Sequence, residues 1–172
     1  MGAGKTAIGR ELAHLLKYDF LDTDREIERR TGVDIPLIFE KEGEAGFRRR
    51  EREMIAELTQ RQPVVLATGG GAILDPDNRE HLRKRGFVIY LKASFEALSA
   101  RTSRNQNRPL LADRDRDTRL RELIRERAPY YEALAQITVT TDRGHIRALA
   151  QQIVRELERN NDEATSPAGQ RT

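Results

Sequence analysis

The chain contains no cysteine and no tryptophan, and no hydrophobic run in it approaches the length of a membrane span. Without cysteine, disulfide bonds, thiolate metal sites and a cysteine nucleophile are excluded, which fits a reducing compartment. A membrane helix needs roughly 20 apolar residues, so we expect a cytoplasmic protein with no membrane contact. Aromatic residues are also scarce, with five phenylalanines and four tyrosines. Because nucleic-acid binders need a charged face with stacking aromatic rings, we expect no nucleic-acid partner.

The charge of the chain is nearly balanced, but its cations are mostly of one kind. Its 31 Lys and Arg against 28 Asp and Glu leave a net charge of +3, and lysine occurs only at positions 5, 17, 41, 84 and 92. The planar guanidinium of arginine binds phosphate or carboxylate through paired hydrogen bonds, so an anionic small molecule is a reasonable partner. Genome composition and solvated helix faces explain most of these arginines equally well. The 172 residues fit one domain, which usually has roughly 100 to 200.

The first residues, Gly2-Ala3-Gly4-Lys5-Thr6, match the second half of the phosphate-binding pattern G-x-x-x-x-G-K-[ST]. Backbone amides of such a loop converge on a phosphate at the positive N-terminus of the following helix. In that setting Lys5 reaches the β- and γ-phosphates, and the Thr6 hydroxyl binds Mg²⁺. A glycine-rich turn that caps a helix would have the same sequence, so other parts of the chain have to decide.

Hydrophobic spacing predicts strands that alternate with helices along the whole chain. The strands are predicted at 18–21, 64–67, 87–91 and 137–141, with a first helix at 5–17, a helix broken at 43–46, and a last helix ending near 157. This alternation favours an α/β fold with a parallel sheet. Residues 104–117 lack apolar periodicity and are predicted to form a mobile loop, and we expect a disordered tail over 159–172.

Polar or glycine clusters follow the predicted strands, where open parallel sheets bind ligands. Asp22 and Asp24 follow one strand, with side chains on the same side if the strand continues. One carboxylate can hold Mg²⁺ through water while the other orients or deprotonates a hydroxyl. Capping of the next helix by Asp24 is the structural alternative. Gly69–Gly71 lets backbone amides approach a ligand, although a triple glycine is also an ordinary turn.

Three arginines stand at positions where an anion would be bound. Arg48 belongs to the run Phe47-Arg48-Arg49-Arg50-Glu51, which either presents a guanidinium to a substrate or forms a solvated helix face. Arg108 lies in the mobile loop, which resembles a lid that closes over phosphates and excludes water. Arg127 precedes a Pro-Tyr-Tyr sequence and is a further candidate for the cleft.

In chain order, the segments GAGKT, DTD, FRR-x-E, TGGGA, RPLL and RAPYYE resemble the motifs of the shikimate kinase family over residues 1–158. The resemblance implies a three-layer P-loop NTPase fold with a parallel sheet of strand order 2-3-1-4-5. It also implies a helical substrate-binding region at about 24–61 and a lid at about 104–117. The implied reaction transfers the γ-phosphoryl group of ATP, with Mg²⁺, to the 3-hydroxyl of shikimate, on the way to chorismate and the aromatic amino acids.

The resemblance also assigns roles to residues that match the family's motifs. The implied nucleotide-binding residues are Gly2, Ala3, Gly4, Lys5, Thr6, Ala7, Arg101 and Arg108. The implied shikimate-binding residues are Asp24, Arg48, Gly69, Gly70, Gly71 and Arg127. Thr6 and Asp22 are the implied Mg²⁺ ligands, and Lys5, Asp24 and Arg108 the catalytic residues, with Asp24 as the base. We expect ATP and shikimate as partners and a monomeric enzyme.

The chain departs from the family pattern at its start, because it begins inside the phosphate loop and lacks the first strand, which is central in the family's sheet. This loss would expose two ladders of backbone groups or force the neighbouring strands to close up. We therefore hypothesise that the natural start lies upstream of Met1.

Two other functions remain open at this point. A related sugar-acid kinase such as gluconokinase is one, although Asp24, Arg48 and Arg127 together favour a substrate with hydroxyls and a ring carboxylate. A truncated, inactive nucleotide-binding module is the other, and it would bind nucleotide without transferring a phosphoryl group.

Overall fold

The computed structural model describes residues 2–102 and 115–165, and strands alternate with helices throughout these ranges. The strands are β1 (Asp19–Asp22), β2 (Val64–Ala67), β3 (Ile89–Lys92) and β4 (Ile137–Thr140). The helices are α1 (Lys5–Leu16), α2 (Thr23–Thr31), α3 (Ile35–Leu58), α4 (Pro76–Arg85), α5 (Phe95–Thr102), α6 (Arg116–Leu134) and α7 (Ile146–Thr165), with a short 3₁₀ helix at Ala72–Leu74. The predicted α/β class is confirmed.

The four strands form two parallel pairs. β1 pairs with β2, with Asp19 opposite Val64, and β3 pairs with β4, with Ile89 opposite Ile137. No pairing joins β2 to β3 among the described residues. If β1 to β4 correspond to strands 2 to 5 of the family's order 2-3-1-4-5, the two pairs are strands 2 and 3 and strands 4 and 5. These are the pairs expected on either side of strand 1. Of the two arrangements anticipated from the sequence, the structure therefore has the one in which two ladders stay apart.

An apolar cavity of about 800 Å³ lies between the two pairs. Its walls include Val65 of β2, Ile89 of β3 and Leu12 of α1. The same side chains pack on the core cluster that joins α1, β4 and α7. The facing strands thus share a hydrophobic space, although they do not share hydrogen bonds.

Two further clusters of buried side chains pack the helices and the loop that carry the predicted site residues. The first packs α2 against α3 and comprises Ile27, Ile38, Phe47, Met54 and Leu58. The second packs the N-terminal loop against α5 and α6 and comprises Ala3, Leu98, Leu120 and Leu123. The helices around the carboxyl ends of β1 and β2 are therefore fixed by their own apolar faces.

Several element boundaries differ from those predicted from the sequence. The predicted break at 43–46 is a single non-helical residue inside α3, Gly43 (φ 69°, ψ −177°). α6 begins at Arg116 and so includes the last two residues of the predicted loop. α7 continues to Thr165, so the prediction of a disordered tail from 159 is wrong for 159–165, and residues 166–172 lie outside the described ranges. None of the described helices combines the length and apolarity needed to cross a bilayer.

Candidate functional site

The glycine-rich loop at residues 2–6, the phosphate loop, leads directly into α1. Gly2 (φ 69°) and Gly4 (φ 86°) adopt the left-handed conformation that favours glycine. Gly4 is the N-cap of α1, and no side chain caps the helix there. The first amides of α1 are thus available at the positive end of the helix, where an anion is stabilised.

Arg101 fastens this loop to the end of β4. Its Nη1 donates to the carbonyl oxygen of Gly2 at 3.3 Å, and its Nη2 donates to the carbonyl oxygen of Thr141 at 2.6 Å. The side chain therefore lies beside the phosphate loop, as the predicted nucleotide role requires, while its contact with adenine stays a prediction.

Asp22 joins the phosphate loop to the first turn of α2. Its Oδ2 accepts a hydrogen bond from Thr6 Oγ1 at 3.0 Å, and its Oδ1 accepts one from the amide of Asp24 at 3.1 Å. Asp22, and not Asp24, is the N-cap of α2, so the capping alternative considered for Asp24 is wrong. A hydroxyl beside a carboxylate suits Mg²⁺, which keeps several waters and substrate phosphates among its ligands. Within the described residues no group of three or more acidic or histidine side chains could hold a metal by itself.

Glu51 is a fully buried carboxylate, 0% exposed, on the inner face of α3. Its Oε2 accepts a hydrogen bond from Arg48 Nη1 at 2.6 Å, while Oε1 has no hydrogen-bond partner among the described residues. Arg48 also pairs with Glu44 at 3.0 Å. Arg48 and Glu51 lie three positions apart on the helix, which places them on one face.

Asp24, Arg48, Glu51 and Arg127 form one group of charges, the acid cluster. Burial raises the pKa of Glu51, the charge of Arg48 opposes this rise, Asp24 adds to it, and Arg127 opposes it weakly. Arg127 is only 6% exposed. Burial lowers its pKa, and the charge of Arg48 lowers it further. Its Nε has no hydrogen-bond partner within the described part of the chain.

The glycine turn, Gly69–Gly71, lies against the acid cluster. The Gly69 amide donates to Thr23 Oγ1 at 3.1 Å. A Cβ atom at Gly69 would meet the Glu51 carboxylate, and one at Gly71 would meet the Arg48 guanidinium. The turn therefore brings its backbone as close to these charges as only glycine allows.

The comparisons with known proteins agree with this geometry. The family model described as shikimate kinase matches residues 1–158. The chain is 52% identical to the shikimate kinase of Thioalkalivibrio sulfidiphilus, over 98% of this chain and 93% of that protein. It is 54% identical to the shikimate kinase of Thiobacillus denitrificans, over the same shares of both. The chain belongs to the shikimate kinase family. It is therefore an ATP-dependent kinase, a phosphotransferase.

A solved structure shares most of the fold. The structure of the shikimate kinase from Acinetobacter baumannii in complex with shikimate has a TM-score of 0.91 and 52% identity, and the match covers 93% of this chain and 89% of that one. This likeness confirms the P-loop fold that the family resemblance implied.

The structure brings most of the predicted site residues into two neighbouring groups. Asp24, Arg48, Arg127 and the glycine turn meet at the acid cluster. Thr6 and Asp22 are hydrogen-bonded to each other at the phosphate loop. Lys5 is the first residue of α1, Ala3 is buried, and Ala7 lies exposed in the first turn. The individual roles of all these residues stay predictions, and Arg108 lies outside the described residues, with most of the predicted lid.

Two residues of the site received no role from the sequence. Glu51 lies in step with the apolar residues Phe47, Met54 and Leu58 of α3, so a carboxylate stands where a core residue is expected. This position in the hydrophobic stripe was the signal that could have revealed it. The second is Tyr131, whose hydroxyl donates a hydrogen bond to the carbonyl oxygen of Gly70 in the glycine turn. It lies four residues after Arg127 on α6, and the sequence gave no comparable signal for it.

We predict that Gly71→Ala destabilises the protein by about 1 to 3 kcal/mol, the usual effect of overpacking. The backbone of Gly71 (φ −93°, ψ −12°) suits alanine, so the effect comes from the methyl group displacing the Arg48 guanidinium from Glu51. Urea unfolding measures the change. Gly86→Ala is the control, because Gly86 is exposed with an extended backbone; equal stability of Gly71→Ala and the unmodified chain would contradict the assigned packing.

A second prediction concerns pH. The raised pKa of Glu51 means that the folded state holds this proton more tightly than the unfolded chain, whose carboxyl has the ordinary value of 4.5. Stability then falls as pH rises from about 4.5 through the raised folded value. Because Glu51→Gln cannot titrate, we expect its free energy of unfolding to improve relative to the unmodified chain as pH rises.

Urea unfolding at a series of pH values checks this, with Glu53→Gln, an exposed position on the same helix, as control. A difference between Glu51→Gln and the unmodified chain that stays flat, or moves the other way, would show that burial does not govern this carboxyl.

Proposed function

We propose that this chain is a shikimate kinase, which transfers the γ-phosphoryl group of ATP to the 3-hydroxyl of shikimate and yields shikimate 3-phosphate and ADP. The product serves the synthesis of chorismate and the aromatic amino acids. In support, the chain is 52% identical to a protein whose structure was solved in complex with shikimate.

The buried guanidinium of Arg127 is the observation that carries the choice of substrate. Arg127 is 6% exposed, and its Nε has no acceptor among the described residues. A buried cation is costly unless an anion with matching hydrogen bonds accompanies it. The ring carboxylate of shikimate supplies such an anion, and Arg48 beside it supplies a second guanidinium for the same group.

The nucleotide occupies the phosphate loop in this proposal. Amides of residues 2–6 hold the phosphates, and Lys5 adds a positive charge toward the β- and γ-phosphates. Thr6 and Asp22 are the residues that would hold Mg²⁺, which neutralises charge on the phosphates when it is bound. The Thr6–Asp22 hydrogen bond of 3.0 Å keeps the Thr6 hydroxyl and the Asp22 carboxylate on the same side of the loop.

Asp24 is the proposed base. It accepts the proton of the 3-hydroxyl as that oxygen bonds to the γ-phosphorus, and the bond from the phosphorus to the β-phosphate oxygen breaks. Asp24 lies beside Glu51, whose pKa it raises, so it already stands at the acid cluster where the ring would bind. Arg108 and the lid would close over the phosphates and exclude water.

We further propose that the enzyme works as a monomer in the cytoplasm, without nucleic-acid or membrane partners.

An assay of ADP release with purified protein, Mg²⁺ and ATP tests the proposal. We expect release that depends on shikimate and is at least about tenfold slower with gluconate at equal concentration, because gluconate lacks the ring that places its carboxylate and hydroxyl together. Release that prefers gluconate would assign the chain to a sugar-acid kinase. Nucleotide binding without release with either acid would identify an inactive nucleotide-binding module.

Replacing the buried guanidinium tests the substrate site directly. We expect Arg127→Ala to lower kcat/KM for shikimate by a factor that corresponds to about 2 to 5 kcal/mol, the usual effect of removing one buried charge-assisted contact. The Kd of ATP should stay unchanged. Arg125→Ala, an exposed arginine on the same helix, serves as the matched control and should keep both values. Equal loss of shikimate and ATP binding in Arg127→Ala would indicate a folding defect instead.

A further inference from the structure

Tyr131 makes a hydrogen bond whose acceptor belongs to the glycine turn. Its hydroxyl donates to the carbonyl oxygen of Gly70 at 2.6 Å, across 61 positions of sequence. Its ring stacks on Tyr90 of β3, with centroids 4.8 Å apart and planes inclined by 17°. One side chain of α6 thus connects a strand of one pair to the turn that follows β2 in the other pair.

The hydrogen bond fixes a whole peptide group, because a peptide is planar and its carbonyl and amide point in opposite directions. Holding the Gly70 carbonyl toward Tyr131 therefore sets the direction of the Gly71 amide. Gly71 is also the residue whose Cα faces the Arg48 guanidinium. The hydrogen bond therefore orients the peptide that lies against the Arg48 guanidinium.

The other hydrogen bonds of the glycine turn involve the Gly69 amide and the Gly69 and Gly71 carbonyls, so the Tyr131 hydroxyl is the group that orients the Gly70 carbonyl. The Gly69 amide is held by Thr23, and the Gly69 and Gly71 carbonyls accept from the amides of Ala72 and Leu74 at 3.2 and 3.0 Å. Burial raises the pKa of Tyr131 to about 12, so its hydroxyl stays a proton donor at neutral pH.

We propose that Tyr131 is a positioning residue for the acid substrate: through the Gly70 carbonyl it orients the glycine turn against Arg48, so that turn and guanidinium present one preformed surface to the substrate carboxylate. The inference rests on the proposed function, since it assigns the carboxylate of shikimate to this surface. Arg127 lies one helical turn before Tyr131, so α6 contributes both a charge and the group that holds the opposing backbone.

Tyr131→Phe tests the proposal, because it removes one hydroxyl and keeps the ring that stacks on Tyr90. We expect the KM for shikimate to rise about three- to tenfold, the effect of one hydrogen bond, with little change in the KM for ATP. Tyr130→Phe is the matched control, since the neighbouring Tyr130 is 40% exposed and packs against Arg79 instead. A shikimate KM within twofold of the unmodified enzyme, or equal rises for both substrates, would overturn the proposal.

A readout without catalysis separates this proposal from the proposed function. In the ligand-free protein, ¹⁵N relaxation should show lower order parameters for the Gly70 and Gly71 amides in Tyr131→Phe than in the unmodified chain, while Gly86 is unchanged. Unchanged order parameters at the glycine turn would refute the positioning role. Lower order parameters in Tyr131→Phe, combined with no shikimate-dependent ADP release from the unmodified chain, would refute the proposed function while the link from Tyr131 to the turn stands.

Discussion

The buried carboxylate of Glu51 is the constraint around which the acid cluster is arranged. Removing an ionised carboxylate from water costs on the order of several kcal/mol unless a well-placed cation compensates. Arg48 provides that cation at 2.6 Å, and in doing so its guanidinium is drawn toward the core and against the glycine turn. The position of Arg48 is therefore imposed by a charge inside the protein, before any substrate arrives.

Arg127 has no such partner among the described residues, and this difference between the two arginines is informative. Arg48 has its charge compensated by two carboxylates, Glu44 and Glu51. Burial of Arg127 lowers its pKa, and the repulsion of Arg48 lowers it further. One arginine is neutralised within the protein, while the Nε of the other has no acceptor among the described residues. A buried guanidinium without a paired carboxylate favours an anionic ligand over a neutral one.

Much of the fold was predictable from the sequence because its signals are local. The apolar runs at β2 and β3, the proline after the cap of α4, and Gly32 at the end of α2 each mark a boundary through their own chemistry. The boundaries that differed depend on tertiary packing: α3 continues through Gly46 because its apolar side chains dock on α2, which overrides the local glycine signal.

The site was predictable where a motif carries its own geometry, and not elsewhere. The phosphate loop and the Asp22–Asp24 pair are contiguous in sequence, so their roles could be argued from spacing. The bonds from Tyr131 to Gly70 and from Thr23 to Gly69 join distant segments and leave no trace in local composition. Glu51 lies between these cases, because its place in a hydrophobic stripe hints at burial but does not name the charges it meets.

Asp22 is shared between two partners, the Thr6 hydroxyl and the first turn of α2. In the proposed mechanism, a nucleotide that recruits Thr6 alters the hydrogen bonding of Asp22, which caps α2, and α2 carries Asp24. Thermodynamic reciprocity then requires that whatever one ligand contributes to the other's affinity is returned in equal measure. In that mechanism a single carboxylate, Asp22, links the nucleotide site to the helix that carries the proposed base.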